Sequence, residues 1–353
     1  MSFFAVVGLS IVSSVLKAGL TTISKFFKMK KILVFLVCLP AVLFSQNMEM
    51  STFSIVGKIR LETPYAEQAK FVKWYFDSTF YEKTRLTKDF ECLKLNYKSD
   101  TATVEAFLYK PLNINGLKLP IILYCRGGMG NLGRLEVHDL VNFQKMAEAG
   151  YVVLASQYRF LNETGKHDEH GGIDVNDVVN LPTIYQNLPY VDTANVFLYG
   201  YSRGGQMCYQ ASKQLKVNAI ATTAGTADWF FRINERREFV EGWQDAESPE
   251  MDYLGFRKVF KNWATDSVQI LEARSAVRWA EQIGSPILLM HSRLDDRVEC
   301  EHSLRLAERL QFFKKPYSLI VYDEPSHSLP FKYFDSYERM FEWFGKYKKS
   351  VKN

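Results

Sequence analysis

Eight short runs rich in β-branched and aromatic residues recur along this chain, and that succession constrains the fold more than any other feature. They cover residues 90–97, 102–109, 119–124, 151–155, 196–199, 219–223, 286–291 and 317–322. The first two mix polar with apolar residues, as an antiparallel edge does. Several later ones are almost continuously apolar, the pattern of strands buried on both faces. Helical patterns lie between them at 140–149, 174–187, 203–215 and 302–313, the last placing Leu306, Ala307 and Leu310 on one face. Strand then helix, repeated, predicts an α/β chain with a mostly parallel central sheet covered by helices on both faces.

Two segments stand outside this repeat. Residues 64–81 read as a helix carrying Phe71, Trp74, Tyr75 and Phe76, within an amino-terminal helical extension spanning 47–89. Residues 228–282, about 55 in number, follow the sixth run and are helical in pattern. Their Trp229, Phe230, Phe231, Trp243, Tyr253, Phe256, Phe260 and Trp263 are too many for a simple crossover, so the segment is expected to pack over the rest as a lid. There is no internal repeat and no low-complexity stretch.

The amino terminus reads as a targeting segment. Met29-Lys30-Lys31 precedes thirteen apolar residues, 32–44, then Ser45-Gln46. That run has the length of a signal-peptide core and is short of the ~20 residues that span a bilayer. Residues 29–46 are therefore expected to direct export, to a periplasm or outside the cell, with Ser45 suited to cleavage. Cys38 follows bulky Val37, which argues against lipid attachment there. Residues 1–28 are expected to be an extension upstream of a true start at Met29; the alternative is a second apolar segment that, left uncleaved, anchors the protein to a membrane.

Charge excludes one class of partner. The net charge is +5, but residues 1–46 hold five lysines and no acid, leaving 39 basic against 39 acidic residues in the remainder. A neutral body gives no footprint for nucleic acid. Cys92, Cys125, Cys208 and Cys300 lack Cys-x-x-Cys spacing and are expected to be free, buried thiols. His167-Asp168-Glu169-His170 has metal-binding residue types, yet four consecutive residues rarely converge on one ion. No metal and no cofactor is expected.

The chemistry lies where strands end. Gly200-Tyr201-Ser202-Arg203-Gly204 follows an apolar strand and precedes a helix. Gly-x-Ser-x-Gly in that setting makes a tight turn that lifts a serine oxygen off the sheet edge. A serine nucleophile needs a base, and the base an orienting carboxylate. Asp295 and Asp296 follow the seventh run and His327 the eighth; position alone leaves the two aspartates open. The order Ser, Asp, His is that of an α/β-hydrolase. His291, ending a buried strand, is expected to brace the core, and His138 and His302, near helix starts, to lie at the surface. Arg126-Gly127-Gly128 ends the third run, so backbone N–H groups of Gly128 and Arg203 are the candidate oxyanion donors. Trp229 and Phe230 are candidates for the acyl pocket, with plain core packing an equal alternative.

Together these motifs resemble the catalytic domain of the prolyl oligopeptidase family over residues 90 to 350. The resemblance rests on Tyr158-Arg159, on 168–178 (Asp-Glu-His-Gly-Gly-Ile-Asp-Val-Asn-Asp-Val), on Leu188-Pro-Tyr-Val-Asp192 leading to Gly200-Tyr-Ser-Arg-Gly-Gly205, and on His291-Ser-Arg-Leu-Asp295-Asp-Arg-Val298. It implies that Asp295 is the acid and His327 the base. Ser292 replaces a usual glycine, and Arg126 stands where some members carry tyrosine or histidine, so the oxyanion site would rest on backbone donors. The family's peptidases carry a β-propeller ahead of this domain, and none fits between residues 46 and 90. Glu235, Glu238 and Glu241 could hold a peptide amino terminus only by number; a solvated helix face explains them better. The resemblance implies a serine peptidase acting on peptides. A carboxylesterase or deacylase, and an inert binding protein on the same fold, are the alternatives.

Overall fold

The computed structural model describes residues 52–160, 167–244, 246, 252–329 and 333–350. The two amino-terminal segments expected at 1–28 and 29–46 lie outside these residues. No helix among the described residues is long and apolar enough to cross a membrane.

All eight expected strands are present, with a ninth ahead of them. The strands are β1 (Phe53–Ile59), β2 (Phe90–Ser99), β3 (Ala102–Pro111), β4 (Leu119–Cys125), β5 (Val152–Ser156), β6 (Val191–Tyr201), β7 (Ala219–Thr223), β8 (Ile287–Ser292) and β9 (Tyr317–Tyr322). They form one sheet in the order β1-β2-β3-β5-β4-β6-β7-β8-β9. Pairings from β1 to β5 are antiparallel along β1-β2-β3-β5, and all others are parallel. This is the expected α/β-hydrolase architecture.

The inner strands β4, β5, β7 and β8 are buried at nearly every position and mostly apolar because both faces are covered. Ile121 and Leu123 of β4 point into a core shared with Leu154, Leu198, Ile220 and Leu289, against the helices Arg203–Ala211 and Glu301–Phe312. Ile122 and Tyr124 point the other way, with Val153, Phe197, Tyr199 and Met290, against the helices Leu140–Glu148 and Tyr333–Tyr347. A third cluster belongs to the segment after β7: Trp229, Phe239, Tyr253, Phe256 and Leu271, closed by Met129 from the loop after β4. The 228–282 segment thus has its own core and rests on that loop.

Two expectations for residues 47–89 need correction. Residues 53–59 form β1 rather than helix, paired to β2 with a bulge between Ile55 and Gly57. Most β1 side chains are exposed, so its place comes from backbone pairing and leaves no burial period to read. The expected helix at 64–81 is three pieces, Tyr65–Glu67, Lys70–Tyr75 and Ser78–Leu86. Phe76 is extended, and Asp77 starts the next helix by accepting the Phe80 N–H at 2.9 Å.

Register brings the ends of the parallel strands together. Cys125 pairs with Gly200, Tyr201 with Thr223, Thr223 with Met290, and Ser292 with Tyr322. Loops leaving β4, β6, β8 and β9 therefore emerge along one sheet edge, the usual place for a site in such folds. The helix Arg203–Ala211 starts hard against β4: a Cβ on Gly204 would lie 1.9 Å from the Cys125 carbonyl oxygen. Gly204→Ala must therefore push helix and strand apart. The expected cost is about 1–3 kcal/mol, read as a lower urea midpoint with an unchanged m value.

Candidate active site

Ser202 sits between β6 and its helix with φ 57° and ψ −124°, a conformation that L-residues rarely adopt. Its N–H donates to the Thr223 carbonyl at 2.9 Å, tying the turn to β7. Gly200 permits the turn, since a Cβ there would lie 2.1 Å from the Gly204 carbonyl oxygen. Ser202 is half-buried and lines a cavity of about 610 Å³ that also holds His327, Gly128 and Arg203 on its wall.

His327 is buried after β9, and its Nδ1–H donates to Asp295 Oδ2 at 2.7 Å. That bond leaves Nε2 as the ring's free acceptor position. Burial holds the His327 pKa below its ordinary value of 6.5, against the opposing pull of Asp295. Asp295 is held as a carboxylate: burial alone would raise its pKa, but hydrogen bonds from His291 and His327 push it well down. The Arg297 and Val298 N–H groups, both at 2.9 Å, occupy its other oxygen. Of the adjacent pair, Asp295 meets the histidine, whereas Asp296 is exposed.

The remaining histidines fall out as follows. His291 braces the core as expected, donating from Nε2 to the Val298 carbonyl at 2.8 Å while Nδ1 meets Ser303 Oγ at 2.7 Å. His138 is half-buried on the cavity wall. His302 is not at the surface: it is fully buried, and its Nδ1 accepts the Asp228 N–H at 3.1 Å. A helix start reads as exposed in sequence, but this one is roofed by the 228–282 segment. Cys92, Cys125, Cys208 and Cys300 are free and buried, and burial raises the thiol pKa of Cys92, Cys208 and Cys300.

The oxyanion candidates lie on adjoining backbone. Gly127 passes so close to the nucleophile that a Cβ on it would be 3.3 Å from Ser202 Cβ. Gly128 has φ 70°, and a Cβ there would lie 2.0 Å from the Leu132 carbonyl oxygen. The Arg203 N–H opens its helix, so it has no intrahelical acceptor. Arg126 is buried on the cavity wall and donates to the carbonyls of Gln157 (2.7 Å), Gly127 (3.0 Å) and Gly130 (3.1 Å), bracing the loop.

What sequence reasoning missed is the Arg203 side chain. Fully buried, it donates to Asp168 at 2.6 and 2.8 Å, to Asp174 at 2.6 Å and to the Gly128 carbonyl at 2.8 Å. Asp168 also accepts the Gly130 N–H at 2.6 Å. No group of three or more potential metal ligands exists among the described residues. The ligand-type run 167–170 instead supplies a counterion. The available signal was electrostatic, since an arginine beside the nucleophile, buried in a packed turn, requires carboxylates.

Trp229 and Phe230 do not line the cavity. Trp229 is fully buried, donates from Nε1 to Gln206 at 2.8 Å and packs against His170 and Phe256; Phe230 lies under Arg278. Core packing is their role, because the helix Trp229–Glu235 turns Trp229 inward and Arg232 toward the cavity. Aromatic lining comes instead from Phe71, Tyr75, Phe76, Phe239 and Trp243. Glu238 is half-buried, pairs with Arg236 and lines the cavity with it, rather than lying on a solvated face; Glu241 is exposed and pairs with Arg257.

Residues 137–350, more than half of the chain, match the model of the prolyl oligopeptidase family. The chain belongs to that family. Among curated relatives of this family member, the uncharacterized peptidase YtmA of Bacillus subtilis is 26% identical over 217 residues, covering 59% of this chain and 76% of YtmA. Dipeptidyl-peptidase 5 of Porphyromonas gingivalis is 24% identical over 218 residues, covering 60% of this chain but 30% of the relative. Among solved structures, Pyrococcus horikoshii acylaminoacyl peptidase superposes with a TM-score of 0.60 at 20% identity, over 79% of this chain and 45% of that one. This prolyl oligopeptidase family chain thus spans less than half of several larger relatives, and the likeness to the solved structure is one of fold.

Arg203→Met keeps the backbone N–H but strands two buried carboxylates. It is expected to cost about 3–5 kcal/mol, measured by chemical denaturation, with a larger loss at neutral than at acid pH because protonation relieves Asp168, whose pKa Arg203 holds down against burial.

Proposed function

We propose that this chain is an exported serine peptidase that cleaves its substrate through an acyl-enzyme. Ser202 Oγ attacks the carbonyl carbon, and His327 Nε2 takes the serine proton and delivers it to the leaving amine. Asp295 holds the histidine tautomer and stabilises the imidazolium. The N–H groups of Gly128 and Arg203 receive the oxyanion, each worth roughly 2.7–4 kcal/mol. Water then repeats the sequence and releases the acid. One observation carries the reading: a strained serine and a histidine bonded at 2.7 Å to a buried carboxylate share one cavity wall. Family membership favours peptides over esters. Export rests on the Met29-Lys30-Lys31 segment and its apolar run.

The test is chemical. Residues 47–353 treated with a fluorophosphonate are expected to be labelled at Ser202, and labelling is expected to vanish in Ser202→Ala and His327→Ala. A folded wild-type chain that resists labelling would sink this reading in favour of an inert binding protein. A matched panel of peptide and acyl-ester substrates separates peptidase from esterase.

The pH profile carries a second expectation. His327 accepts a proton only when neutral, and burial depresses its pKa. Activity is therefore present above the folded pKa and lost as pH falls through it. The acid limb of kcat/KM should have a midpoint below 6.5 rather than above it.

A further inference from the structure

Among the described residues, three side chains on the cavity wall keep a buried polar atom without a hydrogen-bond partner: Arg203, whose other nitrogens are spent on Asp168, Asp174 and Gly128, and the pair Arg232 and His170. Arg232 is 6% exposed and its Nε has no hydrogen-bond partner; His170 is 4% exposed and its Nδ1 has none. Both line the same cavity as Ser202. Phe239 links them, with its ring 5.5 Å from that of His170 and 4.8 Å from the Arg232 guanidinium. Trp229 closes the space behind His170 at 5.0 Å between rings. The result is an aromatic-walled recess with an arginine on one side and an imidazole on the other.

Leaving such groups unpaired in an apolar recess costs roughly 1–3 kcal/mol each, more for a charge. On a cavity wall, such a group is a place where a ligand can supply the missing partner. Arg232 is already bonded through Nη1 to the Arg297 carbonyl and, at 3.2 Å, to Glu299. These contacts fix its direction and leave Nε unspent. Burial, and the charges of Arg203, Arg232 and Arg274, hold His170 neutral, so Nδ1 can carry a proton and donate. With the proton on Nδ1, the two side chains that flank Phe239 present two donors, one of them cationic, which suits a group that only accepts. A carboxylate is that group, and a carboxamide is the poorer match because its NH₂ end meets a donor.

Resting on the reading of Ser202 as the acylated residue, we propose that this recess selects substrates with a carboxylate side chain in the acyl portion next to the scissile bond. An aspartyl or glutamyl peptide is the favoured class. Arg232 and His170 are then specificity-determining residues, and the helix after β7 contributes to the substrate site through Arg232.

The experiment compares amino-methylcoumarin amides of capped dipeptides whose last residue is Glu or Gln, each measured on protein whose Ser202 labelling by fluorophosphonate has been established. The expected result is a kcat/KM for the Glu substrate about tenfold or more above that for Gln, shrinking with added salt. Arg232→Met is expected to bring the ratio near one, mainly through KM for the Glu substrate. Should that variant fail to fold, His170→Phe reads the second donor and is expected to lower the same ratio. A labelled wild-type enzyme with a ratio at or below one, or a ratio untouched by a folded Arg232→Met, overturns this inference alone. Absence of labelling overturns the proposed function and this inference together.

Discussion

The ion cluster around Arg203 is the interaction on which the catalytic edge depends. Its backbone follows the nucleophile, and its side chain reaches Asp168, Asp174 and the Gly128 carbonyl. One residue therefore ties the serine turn to the loop after β4 and to the loop after β5. Arg126, buried alongside, donates only to backbone carbonyls of the neighbouring loops, so the two carboxylates are left to Arg203. Such a cluster adds little net stability compared with apolar packing, yet breaking it is costly. Its use is positional: it fixes where the donors of the oxyanion site lie relative to Ser202, a geometry that hydrophobic contacts would leave adjustable.

The fold was legible where two periodicities coincide with burial. Continuous apolar runs such as 286–291 sit in strands covered on both faces, and the helix at 301–312 has a plain apolar stripe. β1 was illegible because its side chains stay in solvent while its backbone alone is paired. The break at Phe76 was illegible because Asp77 caps a helix inside a run whose aromatic spacing looks continuous.

The site was legible in its motif residues and not in its walls. Ser202, Asp295 and His327 follow strand ends, and a parallel sheet brings such ends together whatever lies between them. The cavity lining depends on the rotation of one short helix. Trp229 and Arg232 are three residues apart in the helix Trp229–Glu235, yet Trp229 enters the core and Arg232 meets the cavity. Size and aromaticity favour Trp229 as a pocket residue in sequence; packing against His170, Phe239 and Phe256 decides otherwise.

Reaction and selectivity consequently rest on different parts of the chain. The reacting groups hang from the central strands, where register leaves little freedom. The cavity walls come from the helix Lys70–Tyr75, the loop after β4 and the segment after β7, all outside the strand–helix repeat. Tyr75 stands between the two: its hydroxyl lies beside Tyr201, before the nucleophile, and Ser328, after the histidine. Tyr201 in turn meets Ser328 Oγ at 3.1 Å and lies 4.9 Å from the His327 ring. The amino-terminal helix thus contacts both arms of the reacting pair, so a change in that helix can alter how His327 is held without touching the sheet. Substrate choice can diverge through these outer segments while the strand ends keep the chemistry constant.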